Sequence, residues 1–156
     1  MIRFATPADI DTILALVREL ADYERAADQV RATPDLLHEA LFGPRPAAEA
    51  LIAEPAGAPV GLALFFHNFS TWTGRRGLYL EDLYVTPPAR GQGLGKALLK
   101  RLAEIAVARG CARFEWAVLD WNRPAIDFYQ AMGAEMMAEW RICRVTGEAL
   151  AALARR

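Results

Sequence analysis

Residues 80–95 read LEDLYVTPPARGQGLG, and the reading of this stretch decides the fold. An apolar, strand-favouring run ends at Val85, a proline-bearing turn follows, and Gly91, Gly93 and Gly95 open a helical pattern. The first turn of a helix carries N–H groups without intrahelical partners and a partial positive charge, which together attract phosphate. Glycines without a Cβ let a ligand lie directly on those amides. Arg90 adds a permanent cation beside them. The stretch predicts a cradle for a phosphorylated ligand at the end of a strand.

Two nucleotide fingerprints fail on spacing. A dinucleotide loop requires G-x-G-x-x-G in an early βαβ unit, whereas Gly95 is followed by Lys96 and the loop lies past mid-chain. A Walker A loop would place its first glycine at Arg90 and its magnesium-binding hydroxyl at Ala97. The pattern that fits is R-x-x-G-x-G from Arg90 to Gly95, and an ordinary glycine-rich strand-to-helix turn is its plain alternative.

The chain of 156 residues has the length of one domain, able to bury about two-thirds of its unfolded surface. A net charge of −1 argues against nucleic-acid binding by bulk electrostatics. The charge is uneven: residues 1–50 hold five basic and nine acidic side chains, a setting hospitable to a cation and equally typical of solvated helices. There is no signal peptide and no long apolar run, so a cytoplasmic protein off the membrane is expected. Cys111 and Cys143 lack zinc-site spacing and read as buried free thiols. His38 reads as a surface residue, His67 as structural or cleft-lining, and no metal site is expected.

Alternation and helix signals predict strands at 2–5, 50–54, 60–68, 77–85 and 113–119, and a closing strand at 135–145. Helices are expected from Thr6-Pro7, with Leu14, Val17 and Leu20 as the stripe, from Thr33-Pro34 to Gly43, from Gly93 to Arg109, and around Tyr129. The order β-α-α-β-β-β-α-β-α-β implies an α+β three-layer sandwich, a mixed sheet with helices on both faces, in a single domain spanning 1–156.

A second motif lies at residues 119–135, LDWNRPAIDFYQAMGAE, where Asn122 caps a helix, Pro124 sits in its first turn and Gly133 follows its end. With the Arg90–Gly95 loop, its N-x-x-A-x-x-F-Y-x-x-x-G pattern resembles the two acetyl-CoA motifs of the GNAT acetyltransferase superfamily. ELADYERAADQV (19–30), TWTGRRGLYLEDLYV (71–85) and AVLDWNRPAIDFY (117–129) are similar to its spermidine/spermine N-acetyltransferase subfamily, which includes thialysine acetyltransferases. The resemblance covers residues 2 to about 145.

The resemblance implies a mostly antiparallel sheet whose fourth and fifth strands splay apart to admit acetyl-CoA. Backbone amides of Leu83, Tyr84 and Val85 would hold the pantetheine arm and thioester carbonyl. Gly91, Gln92, Gly93, Leu94, Gly95 and Lys96 would hold the pyrophosphate with Arg90 as counter-ion. Asn122, Ala125, Phe128 and Tyr129 complete the cofactor-binding set. Tyr129 is the implied general acid, since a phenol is protonated at neutral pH. Glu81 is the implied base and Asp82 an amine-binding partner; adjacent strand residues point to opposite faces unless the strand bulges. Glu24, Trp72 and Trp121 match substrate-facing positions. One departure stands out: Ser70 replaces an aspartate of polyamine-specific members, which favours a smaller amine such as thialysine over a polycation. The expected activity is N-acetyl transfer to a small primary amine by direct attack in a ternary complex, in a homodimer. A non-catalytic acyl-CoA-binding module or a protein N-acetyltransferase is the alternative.

Overall fold

The computed structural model describes residues 1–156. They form two compact units, Met1–Leu119 and Asp120–Arg156. The larger contains one sheet in the order β1 (Ile2–Phe4), β2 (Glu49–Ala53), β3 (Gly61–Ser70), β4 (Arg75–Val85) and β5 (Phe114–Trp116). The first four strands pair antiparallel, and β5 runs parallel to β4. A tight hairpin joins β3 to β4, whereas a parallel neighbour requires a crossover, here the helix α3 (Leu94–Ala108). The mixed, mostly antiparallel sheet is the one expected.

Both faces are covered. Leu62, Leu64 and Tyr84 turn toward α1 (Ile10–Tyr23) and α2 (Pro34–Phe42), packing with Ile13, Leu16, Leu20 and Leu41. On the other face, Leu98 and Leu102 of α3 are fully buried, and a Cβ on Gly61 would touch Leu98 Cδ1 at 3.4 Å. Each such buried aliphatic side chain contributes about 1.5–3 kcal/mol. A polar knot holds the entry to α1. Asp9 accepts from the Thr6 amide at 2.7 Å, while Arg3 pairs with Asp9 at 2.8 Å and Glu54 at 2.7 Å. Hydrogen bonding from Arg3, reinforced by Thr6, holds the Asp9 carboxyl down at about 2.

His67 falls to a structural role on the α3 face. Its Nδ1 is 3.0 Å from the Gly77 carbonyl and its Nε2 is 2.9 Å from Arg109, which also pairs with Glu49. Both cysteines are free as expected, but neither is buried: Cys111 is partly exposed and Cys143 exposed.

The smaller unit contains α4 (Arg123–Ala131), bounded as its motif predicts. Asn122 Oδ1 accepts from the Ala125 amide at 3.4 Å, Pro124 lies in the first turn, and Gly133 adopts a φ of +96°. The closing strand expected at 135–145 does not form. Its β-like composition is present, but a strand exists only when a neighbour accepts its backbone hydrogen bonds, and Trp140, Ile142 and Val145 are exposed instead. A helix α5 (Gly147–Ala154) follows that was not anticipated, although its alanine and leucine content favours one.

Candidate active site

Strand β4 changes neighbours halfway along. Its pairing with β5 ends at Leu80–Trp116, while pairing with β3 continues to Val85. From Glu81 onward one edge of β4 is without a strand partner, so backbone groups there are available to a ligand. Leu83, Tyr84 and Val85 lie on this stretch.

The chain then turns through Pro87–Ala89 into the glycine loop. Gly91 and Gly93 take left-handed φ values of +79° and +78°, which cost a residue with a Cβ about 1–2 kcal/mol. No atom lies within 4 Å of where either Cβ would stand, so the surface of the loop is open. Gly93 is the N-cap of α3 and offers no side-chain cap; the first bond of the helix is Ala97 N to Gly93 O at 2.9 Å. The amides of Leu94, Gly95 and Lys96 therefore have no acceptor within the helix. Open glycines, free amides and the dipole of a 15-residue helix form a donor set that fits a pyrophosphate.

The two carboxylates owe their placement to a bulge. Leu80 pairs with Phe65 and Asp82 with Leu64, leaving Glu81 as an extra residue in the ladder. Asp82 thereby joins Leu64, Leu62 and Tyr84 on the α1 face, a face also shared by Tyr79 through its partner Phe66. Glu81 is exposed but acts electrostatically on Asp82, on Glu24 at the end of α1 and on Tyr79. Burial, then repulsion from Glu81 and Glu24, raises the Asp82 carboxyl to about 6. Partial burial and Glu81 also push Glu24 upward, while burial, then the fields of Glu81 and Glu115, raises the Tyr79 phenol. None of the three acids belongs to an ion pair. Concentrated negative charge without a counter-ion is a receptor for a cation, and a half-buried carboxylate titrating near 6 can hold a proton near neutral pH.

Contacts not singled out in the sequence join this region. Tyr84 Oη donates to Glu19 Oε2 at 2.9 Å, linking β4 to α1 through a side chain expected to matter only for its amide. The Arg90 guanidinium carbon lies 5.4 Å from the Tyr23 ring centroid and 5.6 Å from that of Tyr84, and Nε donates to the Val85 carbonyl at 2.9 Å. Past Glu24, Arg25 takes a φ of +60°, the one non-glycine residue in the left-handed region. The tyrosine before Glu24 was the available sequence signal; the strain at Arg25 had none.

Trp72 does not join the carboxylates. It occupies the β3–β4 turn, 87% exposed, roughly 20 Å along β3 from the level of Asp82. Ser70, at the base of the same turn, accepts from the Thr73 amide at 3.4 Å and so serves the hairpin. In the smaller unit, Phe128 and Tyr129 of α4 meet at a tilt of 49° with ring centroids 5.5 Å apart, and Asn122 and Ala125 form the helix cap.

Known proteins are similar to this chain. The chain is 44% identical over 165 residues to a thialysine N-epsilon-acetyltransferase of Bos taurus, covering 99% of this chain and 96% of the relative. It is 33% identical to an L-ornithine N5-acetyltransferase of Arabidopsis thaliana, covering 97% and 86%. Among solved structures, an integron cassette protein from the V. cholerae mobile metagenome superposes with a TM-score of 0.83 at 27% identity, covering 100% and 98%. The family model of the Acetyltransferase (GNAT) family matches residues 13–134, which include the β4 edge, the glycine loop and the α4 motif. With that span matched, the chain belongs to the GNAT acetyltransferases.

Proposed function

We propose that this enzyme transfers an acetyl group from acetyl-CoA to a small primary amine of the thialysine or ornithine type, by direct attack in a ternary complex. The observation that carries this reading is the unpaired trio of Glu24, Glu81 and Asp82 beside the open edge of β4. The relatives named for thialysine and ornithine acetylation support the size and charge of the substrate.

Acetyl-CoA, when bound, supplies the acetyl group as a thioester. Amides of the Gly91–Lys96 loop hold the pyrophosphate, and the open edge at Leu83–Val85 holds the pantetheine arm and polarises the carbonyl. The carboxylate trio draws in the substrate ammonium. Because an alkylamine is mostly charged at pH 7, a proton must be removed before attack. Glu81 holds the base role by resemblance; burial equips Asp82 to share it, since a group titrating near 6 takes up a proton more readily at neutral pH than an ordinary carboxylate. Tyr129 serves as the acid for the departing thiolate.

Turnover measured across thialysine, lysine, ornithine, spermidine, aminoglycosides and N-terminal peptides tests the assignment. The expected order places thialysine and ornithine at least about tenfold above spermidine in kcat/KM, in line with the relatives named for those two amines. Preferential turnover of peptides, or tight CoA binding with no amine turned over, would overturn it in favour of a protein acetyltransferase or a non-catalytic module.

A homodimer belongs to the same reading. The exposed run of Met137, Trp140, Ile142 and Val145 offers apolar, β-like chain that a second copy could cover. Replacing Trp140 and Ile142 together by serine is expected to shift the species seen in sedimentation equilibrium from dimer to monomer; an unchanged mass removes this segment from the interface. No helix is long and apolar enough to cross a membrane. The proposal places the enzyme in the cytoplasm, where acetyl-CoA is available.

A further inference from the structure

We propose that Arg90 is a positioning residue for the amine site: set over Tyr23 and Tyr84, its guanidinium ties the end of α1, and Glu24 with it, to the strand bearing Glu81 and Asp82. This rests on the amine-acetylating reading of the same site and assigns Arg90 a task apart from the cofactor.

Like charges act against this placement of the end of α1. Glu24 carries the same charge as Glu81 and Asp82, so electrostatics alone would drive the helix end away from β4. The backbone there is also strained. Arg25 occupies the left-handed position that glycine usually takes after a helix, while Ala26 N bonds to Ala21 O at 2.8 Å in the closing turn. Such a conformation persists when surrounding contacts over-determine it.

Arg90 adds contacts to this helix end from the opposite side. Its Nε is fixed on the Val85 carbonyl at 2.9 Å, so the side chain is anchored to the last residue of β4. Beyond that anchor the cation lies within 6 Å of two ring centroids, one on Tyr23 at the last position of α1 and one on Tyr84 of β4. Tyr84 closes the circuit through its 2.9 Å bond to Glu19, about one turn earlier on α1. Glu24 is the residue after Tyr23 and inherits its position. The residue that opens the glycine loop thereby braces the amine-binding carboxylates.

The test uses Tyr23→Leu, Arg90→Leu and the double variant of the full chain. In each, the KM for thialysine is measured, the CoA affinity is read by calorimetry, and the Asp82 titration is followed by carboxyl-carbon NMR. Tyr23→Leu is expected to raise the thialysine KM about 3- to 10-fold and leave the CoA affinity within about twofold. The double variant is expected to be no worse for thialysine than Arg90→Leu alone, because both remove one brace. In either single variant the Asp82 midpoint is expected to fall, as Glu24 moves away. Additive effects on KM, or an Asp82 titration unmoved by either substitution, would overturn the proposal. If the wild type turns over no amine, the functional reading fails, and the NMR titration still decides whether Arg90 holds the helix end.

Discussion

Asp82→Asn is expected to lower kcat/KM for the amine at least tenfold at pH 7 and, at the same time, to stabilise the folded chain above pH 7. Both effects follow from one carboxyl. In the unfolded chain Asp82 titrates near 3.8, and in the folded chain near 6, because burial and two neighbouring carboxylates disfavour its charge. Below pH 4 it is protonated in both states and behaves like asparagine. Between pH 4 and 6 the unfolded chain ionises first, so folding stability is lost as the pH rises, and above the folded pKa the loss is complete. A shift of about two units corresponds to about 2–3 kcal/mol. Denaturant unfolding is therefore expected to show little difference between wild type and Asp82→Asn at pH 4, and a variant more stable by about that amount at pH 8. Activity has the opposite sign. The amide can neither attract an ammonium nor accept its proton, so the rising limb of the wild-type rate near pH 6 is expected to disappear. Equal stabilities at pH 8 would show that the carboxyl is not under strain, and an unchanged rate profile would remove it from proton transfer.

Tyr129→Phe is expected to lower kcat by about 100-fold, with acetyl-CoA affinity within about twofold of the wild type. General acids contribute about 10²–10⁴ in rate. The substitution removes one oxygen and keeps the ring that meets Phe128, and the Asn122 cap of α4 involves neither side chain. The wild-type rate is expected to fall in alkaline solution as the acid's proton is lost, while the variant lacks this limb. Single-turnover kinetics with equilibrium CoA binding separate the two quantities. Unchanged turnover removes Tyr129 from the acid role; parallel losses of turnover and CoA affinity indicate a packing role instead.

The features legible in the sequence are those whose physics is local. Alternate glycines between a strand pattern and a helix pattern, and an Asn cap with proline in the first turn, depend on residues close in the chain, and each stands as expected. The acids were legible as residues and only partly as an arrangement. Adjacent positions on a regular strand diverge, and the bulge that overrides this is a matter of register with β3, which one strand's sequence does not encode. The same holds for Arg90, which the sequence offered as a counter-ion and whose contacts with Tyr23 depend on the docking of α1. The run at 135–145 failed for a related reason: it has the composition of a strand, but a strand is a property of a pair.

The bulge bears on how such a site can arise. Every pairing of β4 with β3 on either side of Glu81 is that of an ordinary ladder, and a chain running directly from Leu80 to Asp82 would retain them all. Glu81 is thus additional to the sheet. One inserted acidic codon in a regular hairpin is enough to place a second carboxylate beside the first without repacking the layers on either side. On the proposed reading, such a pair of carboxylates is a single insertion away from a regular hairpin that already folds.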